Sequence, residues 1–209
     1  MENKLFPTFS KNDVEIVDRE ILYQGVFRLA RYQIRYRLFN GGMSDIVSRE
    51  VFERKSAAAI LPYDPILDRL VLIEQIRPGV MNSGQSPWLL EIVAGVLDKD
   101  EPPEDVAKRE AIEEANCEIL DICPISEYFV SPGGSDEFIS IYCGRIDASK
   151  AGGVFGLPEE SEDIRAFTVS SDEAFALLKQ GELKNAPTII AIQWLQLNRD
   201  ALRHLWQAK

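Results

Sequence analysis

Residues 95–117, GVLDKDEPPEDVAKREAIEEANC, constrain this chain more tightly than any other stretch. Pro102 and Pro103 suit the first turn of a helix, where a missing N–H is not needed. Residues 106–115 then read as a continuous helix. At about 100° per residue, Glu110, Glu113 and Glu114 share one narrow arc, with Arg109 at its edge. Ala107, Ala111 and Ala115 share another arc, with Ile112 beyond, and such small residues let a helix lie close to a sheet. The carboxylates are the oddity, because like charges at i,i+3 and i,i+4 repel by roughly 0.2–0.5 kcal/mol per pair. A cation reverses that penalty. Oxygen ligands suit Mg²⁺ or Mn²⁺, and Mg²⁺ usually binds through few carboxylates plus substrate phosphates. The plain alternative is a solvated acidic helix face, and adjacent glutamates alone are most often that.

The rest of the chain alternates strand and turn signals around this helix. Residues 14–19 read as a short strand. Residues 26–39 read as a longer one, with Phe27, Leu29, Tyr32, Ile34, Tyr36 and Leu38 interleaved with Arg28, Arg31, Arg35 and Arg37 and one shift of register near Ala30. Asn40-Gly41-Gly42 is a turn, and residues 46–54 return as a strand. This antiparallel unit of residues 1–55 has a thin core and needs something to cover it. Residues 57–62 and 70–76 read as buried strands joined by a turn at 64–68. A loop spans 78–87, and 88–97 is one further strand feeding the helix. Strands follow at 119–130 and 138–146, then a long loop at 147–162 carrying Gly152, Gly153 and Gly156, then a last strand at 164–169. Ser170 and Glu173 form a capping box that opens a helix closed by Gly181. Residues 187–207 are a longer amphipathic helix.

At 209 residues the chain is long enough for one domain of roughly 150 residues and an appendage. No apolar run approaches the ~20 residues of a membrane span, and residues 1–9 are polar and broken by Pro7, unlike a signal peptide. Cys117, Cys123 and Cys143 lack CxxC spacing, so reduced thiols in a cytoplasmic protein are expected, with no zinc site. The net charge of −11 is uneven: residues 1–55 carry +2 and the remainder −13. The acidic part excludes nonspecific nucleic-acid binding. His204 is the one histidine and lies far from the acidic helix in sequence, so acid–base chemistry falls to carboxylates or to water activated by a metal.

Gly95, Glu101, Arg109-Glu110 and Glu113-Glu114, at their spacing, closely resemble the signature of the Nudix hydrolases, in which a loop–helix–loop binds divalent metal. That family usually has Gly where this chain has Asn116, and Asn is the next best residue for a left-handed helix end. Pro132, sixteen residues after Asn116, resembles a feature of the family's ADP-ribose pyrophosphatase branch, although SPGG is also an ordinary turn. The stretches FERKSAAAILPYDP, VLIEQIRPG, WLLEIVAG and EESEDI extend the similarity to that branch over nearly the whole chain. The resemblance implies an α/β fold: a Nudix α/β/α sandwich with a mixed sheet over residues 56–209, plus a small N-terminal antiparallel β-sheet over 1–55. It also implies a homodimer that exchanges the N-terminal sheet, while hydropathy and the acidic charge point to no membrane and no nucleic-acid partner.

The resemblance also implies roles. Glu110, Glu114, the Ala94 carbonyl and Glu162 are the expected metal ligands, with Mg²⁺ the expected ion and Mn²⁺ possible. Glu113 and Glu101 belong to the same acidic site. Arg109 is expected to orient a glutamate by a bidentate hydrogen bond. Glu160 is the expected base, in a loop that otherwise reads as a mobile charge run. Arg49, Arg77 and Pro132 match substrate-binding positions, and the two arginines otherwise read as surface ion pairs. The activity implied is hydrolysis of the pyrophosphate of ADP-ribose to AMP and ribose 5-phosphate. Another nucleoside diphosphate sugar such as GDP-mannose is the alternative. A silent nucleotide-binding module would typically have lost glutamates that this chain retains.

Overall fold

The computed structural model describes residues 7–98, 101–157 and 161–207. The chain divides into two compact units, residues 1–55 with 129–137, and residues 56–128 with 138–209. In the first unit, β1 (Val14–Gln24), β2 (Arg28–Tyr36) and β3 (Val47–Glu53) form an antiparallel sheet in that order. β1 is longer than the expected 14–19 strand. Its pairing with β2 shifts twice, between Ile16 and Asp18 and between Ile21 and Tyr23. The second shift lies opposite Ala30, so the broken alternation of β2 is matched by an extra residue in its partner. The arginines pair across strands: Arg31 bridges Glu20 and Glu50 at 3.2 Å each, and Arg37 meets Asp13 at 2.9 Å. Apolar side chains remain outside, including Val26 (96% exposed) and Phe39 (84%). The SPGG turn joins this unit, where Gly134 O accepts the Phe52 N–H at 2.8 Å.

The second unit is built on the alternation of β4 (Ala57–Asp64). Ala59, Leu61 and Tyr63 face one side and Ala58 and Ile60 the other, as a strand covered on both faces requires. The remaining elements are β5 (Arg69–Ile76), β6 (Trp88–Glu91), β7 (Val93–Val96), α1 (Pro103–Ala115), β8 (Asp121–Phe129), β9 (Phe138–Arg145), β10 (Gly153–Phe155), β11 (Ile164–Ser170), α2 (Ser171–Gln180) and α3 (Ala186–Gln207). The sheet order is β10-β11-β5-β4-β9-β8, with β4 and β9 parallel. On one face, Val106, Ala107, Ala111 and Ala115 of α1 pack with Ile60, Val71 and Val93. On the other, Ile192, Leu195, Leu202 and Trp206 of α3 pack with Leu61, Leu72 and Ile141. The result is the α/β/α sandwich with a mixed sheet.

Two segments differ from the sequence expectation. Residues 88–97 are not one strand but two, because β4 and β5 pair with each other only at Tyr63–Leu70 and Asp64–Arg69 and then diverge. β6 pairs with β5 and β7 with β4, filling the gap. At the break, the Ile92 N–H leaves the sheet ladder and donates to Thr188 Oγ1 of α3 at 2.9 Å. Residues 147–162 are likewise not a plain loop. They contain a short 3-10 turn (Ala148–Lys150) and β10, which pairs antiparallel with β11 through Gly153–Ala166 and Phe155–Ile164.

Helix ends follow the sequence. α1 starts with Pro103 at its first position and two acids, Glu104 and Asp105, in its first turn, where the helix dipole favours negative charge. Asn116 closes it at φ 50°, ψ 39°, a left-handed residue as expected. Ser170 and Glu173 make the capping box of α2, and Gly181 at φ 72° ends it. Cys117, Cys123 and Cys143 are free thiols.

Candidate active site

The close approach of α1 to β7 makes the site. Small residues on the inner face of α1 bring its next arc, carrying Glu110 and Glu114, against the β7 backbone. Glu114 is 2% exposed, and its Oε2 accepts the Ala94 N–H at 3.1 Å. Glu110 lies over Gly95: a Cβ built there would stand 1.9 Å from Glu110 Oε1 and 2.1 Å from its carboxyl carbon. The need for glycine at 95 is therefore space for a carboxylate.

Arg109 connects the carboxylates at the mouth of this arc. Its Nη1 donates to Glu110 Oε1 at 2.9 Å and to Glu113 Oε2 at 2.8 Å, and its Nε to Glu101 Oε1 at 3.4 Å. It thus bridges three glutamates and does not grip one carboxylate with two prongs. Burial opposes the Arg109 charge, but the Glu101 hydrogen bond and the charges of Glu110 and Glu113 outweigh it and raise its pKa.

The electrostatics of the buried pair run the other way. Burial pushes the Glu114 carboxyl up to about 8; the Ala94 hydrogen bond and the Arg77 charge oppose this, and the charges of Glu110 and Glu162 add to it. Burial also raises Glu110, against the pull of Arg109. The protein holds carboxylates where solvation is poor and like charges are close, an arrangement that a hard cation relieves. Among the described residues, no three His, Cys, Asp or Glu side chains already form a cage. The donor set, hard carboxylate oxygens in a poorly solvated seam, fits a divalent cation whose other positions are filled by ligand oxygens.

Glu162 enters from the sequence-distant side. Its backbone N–H donates to Leu157 O at 3.2 Å, and its Oε2 accepts the Leu157 N–H at 3.1 Å. Its charge is felt by Glu110, Glu114 and Arg77. Arg77 follows β5 and forms an ion pair with buried Glu91 at 2.7 Å. Glu160 lies outside the described residues. Arg49 and Pro132 belong to the first unit: Arg49 is exposed on β3 and donates to Ser48 O at 2.8 Å, and Pro132 sits in the exposed turn after β8. Arg77, Ala94, Arg109, Glu110, Glu113 and Glu114 thus share one region of the second unit. Glu91 was not singled out from sequence, although a lone carboxylate inside the apolar run WLLEIV is the signal that marks it.

A profile of the NUDIX domain matches residues 53–194, more than half of the chain. This chain belongs to the NUDIX family. The ADP-ribose pyrophosphatase of Escherichia coli (strain K12) is 50% identical to this NUDIX protein over 199 residues, covering 95% of each. The GDP-mannose pyrophosphatase of Pectobacterium atrosepticum is 32% identical over 185 residues, covering 86% of this chain and 92% of that protein. The crystal structure of an ADP compounds hydrolase superposes with a TM-score of 0.64 at 18% identity, covering 90% and 97% of the two chains. That last likeness is one of fold.

Gly95→Ala tests the cradle. The new methyl must displace the Glu110 carboxylate, a flexible group, so folding should survive. If Glu110 serves a metal, activity should fall about 10–100-fold, the usual cost of disturbing the groups that orient a ligand, with a thermal midpoint close to wild type. Wild-type activity would mean that Glu110 has no fixed place over Gly95.

Proposed function

We propose that this NUDIX enzyme hydrolyses the pyrophosphate of ADP-ribose to AMP and ribose 5-phosphate in a Mg²⁺-dependent reaction. The observation that carries this reading is the 50% identity, across 95% of both chains, to an ADP-ribose pyrophosphatase. The more distant GDP-mannose pyrophosphatase supports a second reading in which the base or sugar differs.

The residues divide the work. Glu110, Glu114, Glu162 and the Ala94 carbonyl would hold the metal. Bound Mg²⁺ supplies charge neutralisation for the pyrophosphate and lowers the pKa of water at the site. Arg109 keeps Glu113 and Glu110 in place while adding positive charge at the mouth of the acidic arc. Arg77 takes a phosphate oxygen, and Arg49 and Pro132, which belong to the first unit, are the further residues we propose to bind substrate. Glu160 accepts the proton of the attacking water, because Glu110 and Glu114 would be committed to the cation and Glu113 is held by Arg109 at 2.8 Å. The water forms a bond to the adenosyl-side phosphorus as that phosphorus parts from the bridging oxygen, and AMP and ribose 5-phosphate leave. The arrangement is electrostatic and positional, as phosphoryl transfer requires.

No helix among the described residues is long and apolar enough to cross a membrane. With its free thiols, the protein fits a cytoplasmic enzyme. The apolar side chains left outside on the first unit, Ile16, Tyr23 and Val26 among them, support a homodimer in which this sheet covers the partner.

The assay is a panel of ADP-ribose, GDP-mannose and NADH with and without Mg²⁺. We expect ADP-ribose to be hydrolysed with the highest kcat/KM, only with the metal, and Glu160→Gln to lower kcat about 10²–10⁴-fold, the range for a general base. Preference for GDP-mannose would establish the second reading, and metal-independent turnover would overturn the site. Light scattering should give twice the mass of the chain; a stable, active monomer would contradict the exchanged dimer.

A further inference from the structure

Glu91 is 2% exposed at the end of β6, in a strand whose other residues are apolar. Its carboxylate is fully engaged. Arg77 Nε donates to Oε1 at 3.1 Å and Oε2 at 3.0 Å, and Arg77 Nη2 to Oε2 at 2.7 Å. Gln75 Nε2 adds a bond to Oε2 at 3.4 Å, and Asn185 Nδ2 donates to Oε1 at 3.0 Å. Asn185 immediately precedes α3, and its Oδ1 accepts from the Thr188 N–H at 3.2 Å and from the Thr188 hydroxyl at 2.9 Å. Thr188 Oγ1 in turn accepts the Ile92 N–H at 2.9 Å, at the break that leads into β7 and Ala94.

One chain of hydrogen bonds therefore runs from the start of α3, through Glu91, to the guanidinium of Arg77. Glu91 holds the Nε–Nη2 edge. The Nη1 edge has no hydrogen-bond acceptor among the described residues, and the Arg77 side chain keeps 40% exposure above its buried anchor. Its anchor Glu91 lies three residues before Ala94, whose N–H meets Glu114 at 3.1 Å, and the charges of Glu114 and Glu162 act on this guanidinium.

A buried ion pair is a poor device for stability alone, since an apolar pair of similar volume often does as well or better. It is a good device for fixing a planar fork. An arginine free to rotate loses side-chain entropy when it binds a phosphate, and one already held does not. We infer that Glu91, tied to α3 through Asn185 and Thr188, is a positioning residue that presents the open edge of Arg77 to a phosphate oxygen of the nucleoside diphosphate substrate. The inference rests on the pyrophosphatase reading given above and names a determinant of substrate binding within it.

The test compares wild type, Glu91→Gln, Asn185→Ala, Arg77→Ala and the double variant Glu91→Gln/Arg77→Ala. ADP-ribose kinetics are read with Mg²⁺, and inorganic pyrophosphate is titrated by calorimetry. Glu91→Gln should raise KM and the pyrophosphate Kd about 10-fold, with kcat within about twofold, the pattern of lost ground-state binding. Asn185→Ala should shift both in the same sense by a few-fold, and it carries the test if Glu91→Gln does not fold. The double variant should bind no more weakly than Arg77→Ala, because Glu91 acts through Arg77. Unchanged KM and Kd, a fall in kcat alone, or a full multiplication of effects in the double variant would overturn the inference. If ADP-ribose is not turned over by wild type, the activity reading fails alone, and the pyrophosphate titration still decides the role of Glu91.

Discussion

The contact between Glu114 and the Ala94 N–H governs this molecule. It places a carboxylate in the seam between α1 and the sheet, at the one position on the arc that is almost wholly withdrawn from solvent. Everything nearby accommodates that choice. Ala107, Ala111 and Ala115 keep the helix close, and Gly95 leaves room for the second carboxylate. Neither Arg109 nor Arg77 hydrogen-bonds Glu114: Arg109 bonds Glu101, Glu110 and Glu113, and Arg77 turns its Nε–Nη2 edge to Glu91. A deficit of positive charge remains at the centre, and it is the proposed place for a divalent cation.

The same seam lies where the sheet diverges. β4 and β5 separate after two residue pairs, and β6 and β7 enter the opening. That insertion carries Glu91 toward α3 and Ala94 toward α1. The two faces of the sandwich thus contribute different things to one site. α1 supplies acidic side chains, and Asn185 and Thr188, at the start of α3, supply the neutral hydrogen bonds that we infer steady Arg77 through Glu91. The same break in the strand, with the Ile92 N–H turned to Thr188, makes both possible.

Local chemistry was legible in the sequence, and non-local chemistry was not. The prolines opening α1, the left-handed Asn116, and the capping box of Ser170 with Glu173 are decided by neighbours in the chain, so their patterns could be read directly. The acidic arc was legible because helical periodicity alone places its members. Burial of Glu114 was not, because arc position does not say which member meets the sheet. The break at Ile92 depends on a threonine 96 residues away, and a run such as WLLEIVAG looks like a single strand until its partners are known. β10 was hidden for the same reason: Gly153-Val154-Phe155 is too short to show an alternation, and only β11 makes it a strand. Glu91 was overlooked as one carboxylate in an apolar run, although that contradiction is the mark of a buried partner.

The central claim is that Glu114 is a charge the fold holds unfavourably until a cation arrives. Urea unfolding of the metal-free protein and of Glu114→Gln, followed from about pH 5 to 9, tests it most directly. A carboxyl whose folded pKa is raised to about 8 contributes fully below its unfolded value near 4.5 and loses that contribution as pH rises through 8. Wild type should therefore lose stability relative to Glu114→Gln across this range, by roughly 1–3 kcal/mol, and Mg²⁺ should restore it in wild type but much less in the variant. A stability difference that does not change with pH, or equal stabilisation of both proteins by Mg²⁺, would contradict the account.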